Sequence, residues 1–526
     1  MNMGQVFARA TDRYPESTAL VDPTADVRYT YREWYDRAFA VAAALSERGI
    51  GEGDRIATAM RNRAELATLY CATQLLGAVF VPYNFRTSPT ELAFLVNNVE
   101  PAALVFSEAT ADSVAAGREE FPNGTDLLAL DETPSFAESY ESYLDRRDPE
   151  FEPSFVDPDR TSLILHTGGT TGRPKGVPRS HRNTYAAAVA HAIQTSWSQR
   201  EATLGLMSLA HTMGIHALAA VLVLGGKWVT QREFSAAATR DAIRSEGVTS
   251  LYLVPTVYHD LVESPSIADA DVSSVRNVAF AGASMSTTDI RAVADQFEPE
   301  SFVNHYGSTE VYSHAVCERL LEKPGCIGRA AINTRIRVVE PSEFGDLDPE
   351  ARVDSGEVGE IIVDASSPEA FDGYLGADDD RTLVDGWFFT GDLGYRDADG
   401  DLFIIGRIDD MIISGGENIY PVEVESVLES HDLVREAAVV GRPSERWNQT
   451  VAAFVTVTAA SGDVDFESAV AELDEHCRRS EGLANFKRPR KYFFIDELAK
   501  SNVGKILRKE LQKKELDINV HAEVDV

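Results

Sequence analysis

One segment constrains this chain more than any other. Thr161–His166 (TSLILH) has the apolar run of a buried strand, and it leads directly into His166-Thr-Gly-Gly-Thr-Thr-Gly-Arg-Pro-Lys-Gly176. A strand that ends in small, hydroxyl-bearing residues lets backbone N–H groups converge on phosphate oxygens, and the hydroxyls add donors. Lys175 can reach the same oxygens as a point charge. The pattern is not the GxxxxGK[ST] phosphate loop, because Pro174 precedes the lysine and Gly176 follows it. An ordinary flexible turn would not need four glycines, three threonines and a lysine in eleven positions. Lysine is scarce here: seven of the chain's ten lie beyond Phe486 and none before Lys175.

That loop belongs to a long chain of 526 residues, which implies at least two domains. The first part alternates helical stretches (Tyr31–Arg48, Arg63–Leu76) with short apolar runs (Ala102–Phe106), the rhythm of α/β layers. Strand-then-loop units follow at Val278–Gly282 and Ser301–Gly307, and Glu360–Val363 is a further strand. Gly394–Gly406 has the pattern of a hairpin turning at Asp397–Gly400. After Gly406–Pro421 the texture changes to a helix (Val422–Ser430), two strands (Glu436–Val440, Val451–Val457) and a helix (Phe466–Arg479), a small α+β domain. The expected fold is thus α/β and α+β: a large N-terminal domain of layered sheets and helices over 1–408, and a small mobile domain over 409–526.

Composition excludes several classes. A formal net charge of −35 argues against nucleic-acid binding, which requires basic stripes. No apolar run reaches the roughly 18 residues of a spanning helix. The N-terminus lacks the basic-then-apolar pattern of a secretory signal. Cys71, Cys317, Cys326 and Cys477 are scattered, as in a reducing compartment, so a cytoplasmic protein is expected. The acidic excess, with arginine far above lysine, resembles proteins of salt-loving microbes. Self-association into a homodimer is left open.

The glycine loop resembles the signature [ST]-[SG]-G-[ST]-[ST]-G-x-P-K-G of the adenylate-forming superfamily, with Gly168 where serine is commoner. Further matches follow in the same order along nearly the whole chain: Ala281–Ser286, Asn304–Glu310 (NHYGSTE), Gly386–Asp392 (GWFFTGD), Gly406–Asp410 (GRIDD), Ser414–Asn418 (SGGEN) and Asn502–Arg508 (NVGKILR, with Val503 for the usual threonine). Within the superfamily the chain is most like the 4-chlorobenzoate/benzoate-type CoA ligases.

The resemblance implies an ATP-dependent, AMP-forming acid–CoA ligase and assigns roles to matching positions. Thr167, Gly168, Gly169, Thr170, Thr171, Gly172 and Lys175 would bind phosphates. Gly282, Ala283 and Ser284 would border the adenine, on which Tyr306 stacks, with Gly307 and Ser308 beside it. Thr309 would touch the α-phosphate and Glu310 would hold Mg²⁺. Asp392 would accept from the ribose hydroxyls, Arg407 would contact ribose or phosphate, and Asn418 would lie near the nucleotide. Lys505 would be the catalytic lysine of adenylation, and Asp409 the hinge. His211, Met213, Ala281 and His305 would border the acyl group, with His211 as gate or carboxylate contact. His305 stands where an apolar residue is usual, so it could hydrogen-bond a phenol on an aromatic acid. Arg86, Gly415, Gly416, Trp447, Arg488 and Arg490 would bind CoA. The alternatives are a medium- or long-chain fatty acid as substrate, a carrier protein as acceptor, and a non-catalytic nucleotide-binding paralogue.

Overall fold

The computed structural model describes every residue except 146, 147, 149, 168–173, 342–346, 377–381, 416, 445, 459–464, 481, 501–505 and 514–519. The chain forms two compact units. One comprises Met1–Ile336 with Val363–Phe388, the other Arg337–Ile362 with Phe389–Val526.

The larger unit contains two sheets. One runs in the order Glu138–Ser139, Asp126–Ala129, Ala103–Phe106, Arg55–Ala59, Val79–Tyr83, Thr161–Thr167, Lys175–Ser180. All its pairings are parallel except the last, in which Thr167 pairs with Lys175 across the glycine loop. The other sheet has a parallel centre made from Ser301–Tyr306, Asn277–Phe280, Ser250–Leu253, Ala202–Gly205, Lys227–Thr230 and Thr18–Asp22. Such strands are apolar on both faces because helices cover both faces. Asn277–Phe280 and Ser250–Leu253 are buried at every position, as that rule requires. Ala64–Leu76 is buried at all positions but Glu65. A helix that is apolar nearly all round must be enclosed, and this one lies in the core shared with the helices Tyr31–Ser46 and Thr212–Leu224.

In the smaller unit, Asp392–Arg396 pairs with Leu402–Arg407 as the expected antiparallel hairpin, with Asp397 accepting from the N–H groups of Asp399 and Asp401. A second sheet holds Glu417–Ile419, Ile412–Ser414, Asn448–Val457, Lys491–Ile495 and Val520–Asp525, with Val434–Ser444 also paired to Asn448–Val457. The helices Pro421–Glu429 and Phe466–Arg479 bury Val424, Leu428 and Leu473 against it. No helix among the described residues is long and apolar enough to cross a membrane.

Candidate active site

The hairpin that closes the glycine loop ends at Lys175, which is exposed at the start of its strand. Residues 168–173, and with them Gly168, Gly169, Thr170, Thr171 and Gly172, lie outside the described residues. Lys175 Nζ sits 4.3 Å from the centre of the Tyr374 ring. The same tyrosine donates its hydroxyl to Glu310 Oε1 at 2.7 Å. Glu310 is buried at the end of the NHYGSTE segment. The main-chain carbonyls of Thr309 and Glu310 accept from the buried Arg179 guanidinium at 2.8 and 2.9 Å. Burial lowers the Arg179 pKa to about 10, so it stays cationic at neutral pH. Because Arg179 bonds carbonyls, the Glu310 carboxylate is not spent on it. A buried carboxylate with one hydrogen-bonded oxygen suits a hard cation such as Mg²⁺, the only kind of donor set that ion requires from protein beside phosphates and water.

Gly307 shows why a side chain is excluded from this segment: a Cβ there would lie 1.7 Å from the Tyr312 carbonyl oxygen. Tyr306, half-buried, meets the His314 ring edge-on at 4.8 Å. Gly282 has φ +90°, a conformation open to glycine, and turns the chain out of its strand so that Ala283 and Ser284 are exposed.

The expected acyl-side residues divide. His211 immediately precedes the helix Thr212–Leu224, and its Nε2 pairs with Asn84 Nδ2 at 3.1 Å. Met213 is half-buried and Ala281 buried. His305 is buried with both ring nitrogens engaged, Nδ1 with the Tyr252 hydroxyl at 2.7 Å and Nε2 with Ser313 Oγ at 2.9 Å. The expectation that His305 reads a substrate phenol is therefore corrected: neither nitrogen is left for it. Burial pushes its pKa down to about 4, so the ring is neutral. Around it stand His191, whose Nδ1 pairs with the Tyr312 hydroxyl at 2.9 Å, and His216, whose ring lies 4.2 Å from that of Tyr312 and whose nitrogens have no partner among the described residues.

In the smaller unit Arg407 donates to Asp392 Oδ1 at 2.6 Å and to the Thr390 carbonyl at 3.2 Å. The two residues expected to touch the ribose are thus held to each other. Asp409 lies in the single helical turn Ile408–Asp410, and exposed Asn418 pairs with Ile413. Gly415, at φ +64°, turns the hairpin Ile412–Ile419, and a Cβ there would meet the Trp447 ring at 3.0 Å. Gly416 and Lys505 lie outside the described residues.

Of the expected CoA-side arginines, Arg86 is exposed and its N–H donates to Asn84 Oδ1 at 2.9 Å. Arg490 donates to the Asn485 carbonyl at 3.3 Å. Arg488 does not present a free cation: it is largely buried and ion-paired with Asp474, which also holds Arg478. Sequence reasoning missed Tyr374, Asn84 and Arg179. Nothing marks them locally, although Tyr374 sits in Phe371-Asp-Gly-Tyr-Leu-Gly376, a glycine-flanked turn just before the GWFFTGD segment.

The AMP-binding enzyme family matches residues 7–375, and its C-terminal domain matches 423–505. The chain belongs to that family. Among its relatives, 4-chlorobenzoate–CoA ligase of Arthrobacter is 32% identical over 517 residues, 97% of this chain and 94% of that one. A fatty acid–[acyl-carrier-protein] ligase of Streptomyces coeruleorubidus is 33% identical over 504 residues, 92% and 91% of the two chains. The fold is that of O-succinylbenzoate coenzyme A synthetase from Bacillus subtilis, solved in complex with ATP and magnesium ion. The TM-score is 0.81 at 26% identity, over 97% of this chain and 99% of that one. The AMP-binding enzyme is thus an acid–thiol ligase.

Proposed function

We propose that the protein uses ATP to join an aromatic carboxylic acid to coenzyme A through an acyl-adenylate. The observation that carries this reading is the pairing of Lys175 and Glu310 on one tyrosine, a cation for phosphates beside a carboxylate for a metal. The family membership supports it. A carboxylate resists nucleophiles because it is already anionic, and AMP supplies a leaving group. In the first step an oxygen of the acid attacks the α-phosphorus and pyrophosphate leaves. Positioning and charge stabilisation dominate such a step. Lys175 and the glycine loop hold the β- and γ-phosphates, Thr309 the α-phosphate, Tyr306 the adenine, and Asp392 the ribose. Magnesium, when bound at Glu310, would neutralise phosphate charge. Lys505 bridges the acid and the α-phosphate. The functional division falls at Asp409, about which the small domain turns to withdraw Lys505. The CoA thiol then attacks the acyl carbon and AMP leaves. Arg86 and Arg490 bind the CoA phosphate, with Gly415, Gly416 and Trp447 along its arm.

Support for an aromatic acid comes from the aryl-acid relatives. The fatty acid–carrier ligase keeps a fatty acid and a carrier protein as rivals. The charge of −35 supports work in strong salt, in a cytoplasmic setting without nucleic-acid partners. The test is acid-dependent pyrophosphate exchange and CoA-dependent AMP release in multimolar KCl, with aromatic and aliphatic acids. Exchange without CoA consumption would point to a carrier, and ATP binding without exchange to a non-catalytic paralogue. Lys505→Ala should slow exchange about 10²–10³-fold and leave thioester formation from preformed adenylate nearly unchanged. Equal losses in both halves would sink the assigned role.

A further inference from the structure

Segment 369–375 is tied to both halves of the phosphate-facing surface. Leu375 N–H donates to the Gly176 carbonyl at 2.8 Å, next to Lys175. A Cβ on Gly176 would lie 3.1 Å from Leu375 Cβ, so the two strips are in close contact. Phe371 N–H donates to the Glu310 carbonyl at 2.9 Å, Ala370 bridges to Val311, and Glu369 accepts from Ser313 N–H at 3.0 Å. Tyr374 is the one side chain in the strap that meets both functional groups. Its ring lies under the Lys175 ammonium, and its hydroxyl is on Glu310. Phe371 packs edge-on against the Tyr374 ring at 5.0 Å and Phe388 at 5.7 Å, which fixes the ring plane.

We propose that Tyr374 is a positioning residue that sets the Glu310 carboxylate and the Lys175 ammonium together for a metal-bound triphosphate. A hydrogen bond to one carboxylate oxygen fixes the rotation of the group and leaves the other oxygen to face a cation. Outer partners of this kind commonly change metal affinity about 10- to 100-fold. The ring face favours a cation over it without neutralising its charge, so Lys175 is oriented yet remains available to phosphate. The inference rests on the nucleotide-binding reading of this surface, and it concerns binding rather than turnover.

The two contacts can be separated in the full-length protein. Calorimetric titration of ATP is run at graded Mg²⁺ and again in EDTA. Tyr374→Phe keeps the ring and removes the hydroxyl. It should raise the Mg²⁺ needed for half-maximal nucleotide binding about tenfold or more and leave binding in EDTA unchanged. Tyr374→Leu should in addition weaken metal-free ATP binding by roughly twofold to fivefold. Tyr374→Phe in a Glu310→Gln background should produce no further Mg²⁺ shift. Three results would each overturn the proposal: an unchanged Mg²⁺ requirement in Tyr374→Phe, equal weakening with and without Mg²⁺, or tighter binding. If the wild type binds ATP with this Mg²⁺ dependence yet shows no acid-dependent exchange, the ligase reading fails and the role of Tyr374 stands.

Discussion

Each unit buries a polar cluster, and the two clusters are of opposite kinds. In the larger unit, His191, His305, Tyr252, Tyr312 and Ser313 form a neutral network, with His216 packed against it. Burial holds the histidines uncharged, His305 with its pKa near 4 and His191 and His216 pushed well below the usual imidazole range. In the smaller unit the cluster is a charged one. Arg508 donates to both oxygens of Glu425, at 2.7 and 2.9 Å, and lies 3.5 Å from Asp410. A neutral network avoids the cost of desolvating ions, but every nitrogen needs a partner. A charged pair tolerates burial only while both members remain. The difference predicts that the units fail differently.

The largest effect should come from breaking the charged pair. Arg508→Ala leaves Glu425 buried without its cation and should cost the small unit about 3–5 kcal/mol. Arg508→Met with Glu425→Leu should recover most of that. Thermal denaturation of both variants checks the claim, and a loss below about 1 kcal/mol for Arg508→Ala would break the contrast.

Next comes opposite pH dependence. Burial raises the Glu360 pKa to about 7. Between about 4.5 and 7 the folded carboxyl holds a proton that the unfolded one releases, so the small unit loses stability as pH rises, by about 3 kcal/mol in all. Glu360→Gln should remove that slope and keep an acceptor for Gly391 N–H, which now donates to Glu360 at 2.9 Å. For His305 the sign is reversed. Its folded pKa lies below the unfolded value of about 6.5, so the unfolded chain gains protons first and the large unit loses stability as pH falls from about 6.5 toward 4. Denaturant titrations from pH 4 to 8 test both. Parallel slopes would show that these two groups do not govern their units.

The smallest effect separates two neighbouring arginines. Arg488 is committed to Asp474, so Arg488→Ala should lower the melting temperature. Arg490→Ala should mainly raise KM for CoA, by about tenfold for one charge-assisted phosphate contact of ~1.4 kcal/mol. If Arg488→Ala instead raised KM for CoA with melting unchanged, its pairing with Asp474 would not matter to function.

Much of this was legible in the sequence. Phe466–Arg479 is a helix at the expected limits, and the Trp387–Arg407 hairpin turns at Asp397–Gly400 as its residues require. These features are local: periodicity and turn chemistry act over a few residues. The glycine-rich segment, the NHYGSTE segment and their order were equally readable as marks of the family whose model matches residues 7–375. What the sequence by itself determined was therefore the fold class, the order of the segments and the kind of group each could hold. Tertiary structure alone decided which of those groups are free. His305 is used up by Tyr252 and Ser313, Arg488 by Asp474, and Glu310 shares Tyr374 with Lys175. Tyr374 is 64 residues from Glu310, and Tyr252 is 53 from His305. No local pattern encodes such pairs. A buried polar group takes whichever partner the packing of distant strands and helices brings within hydrogen-bond reach.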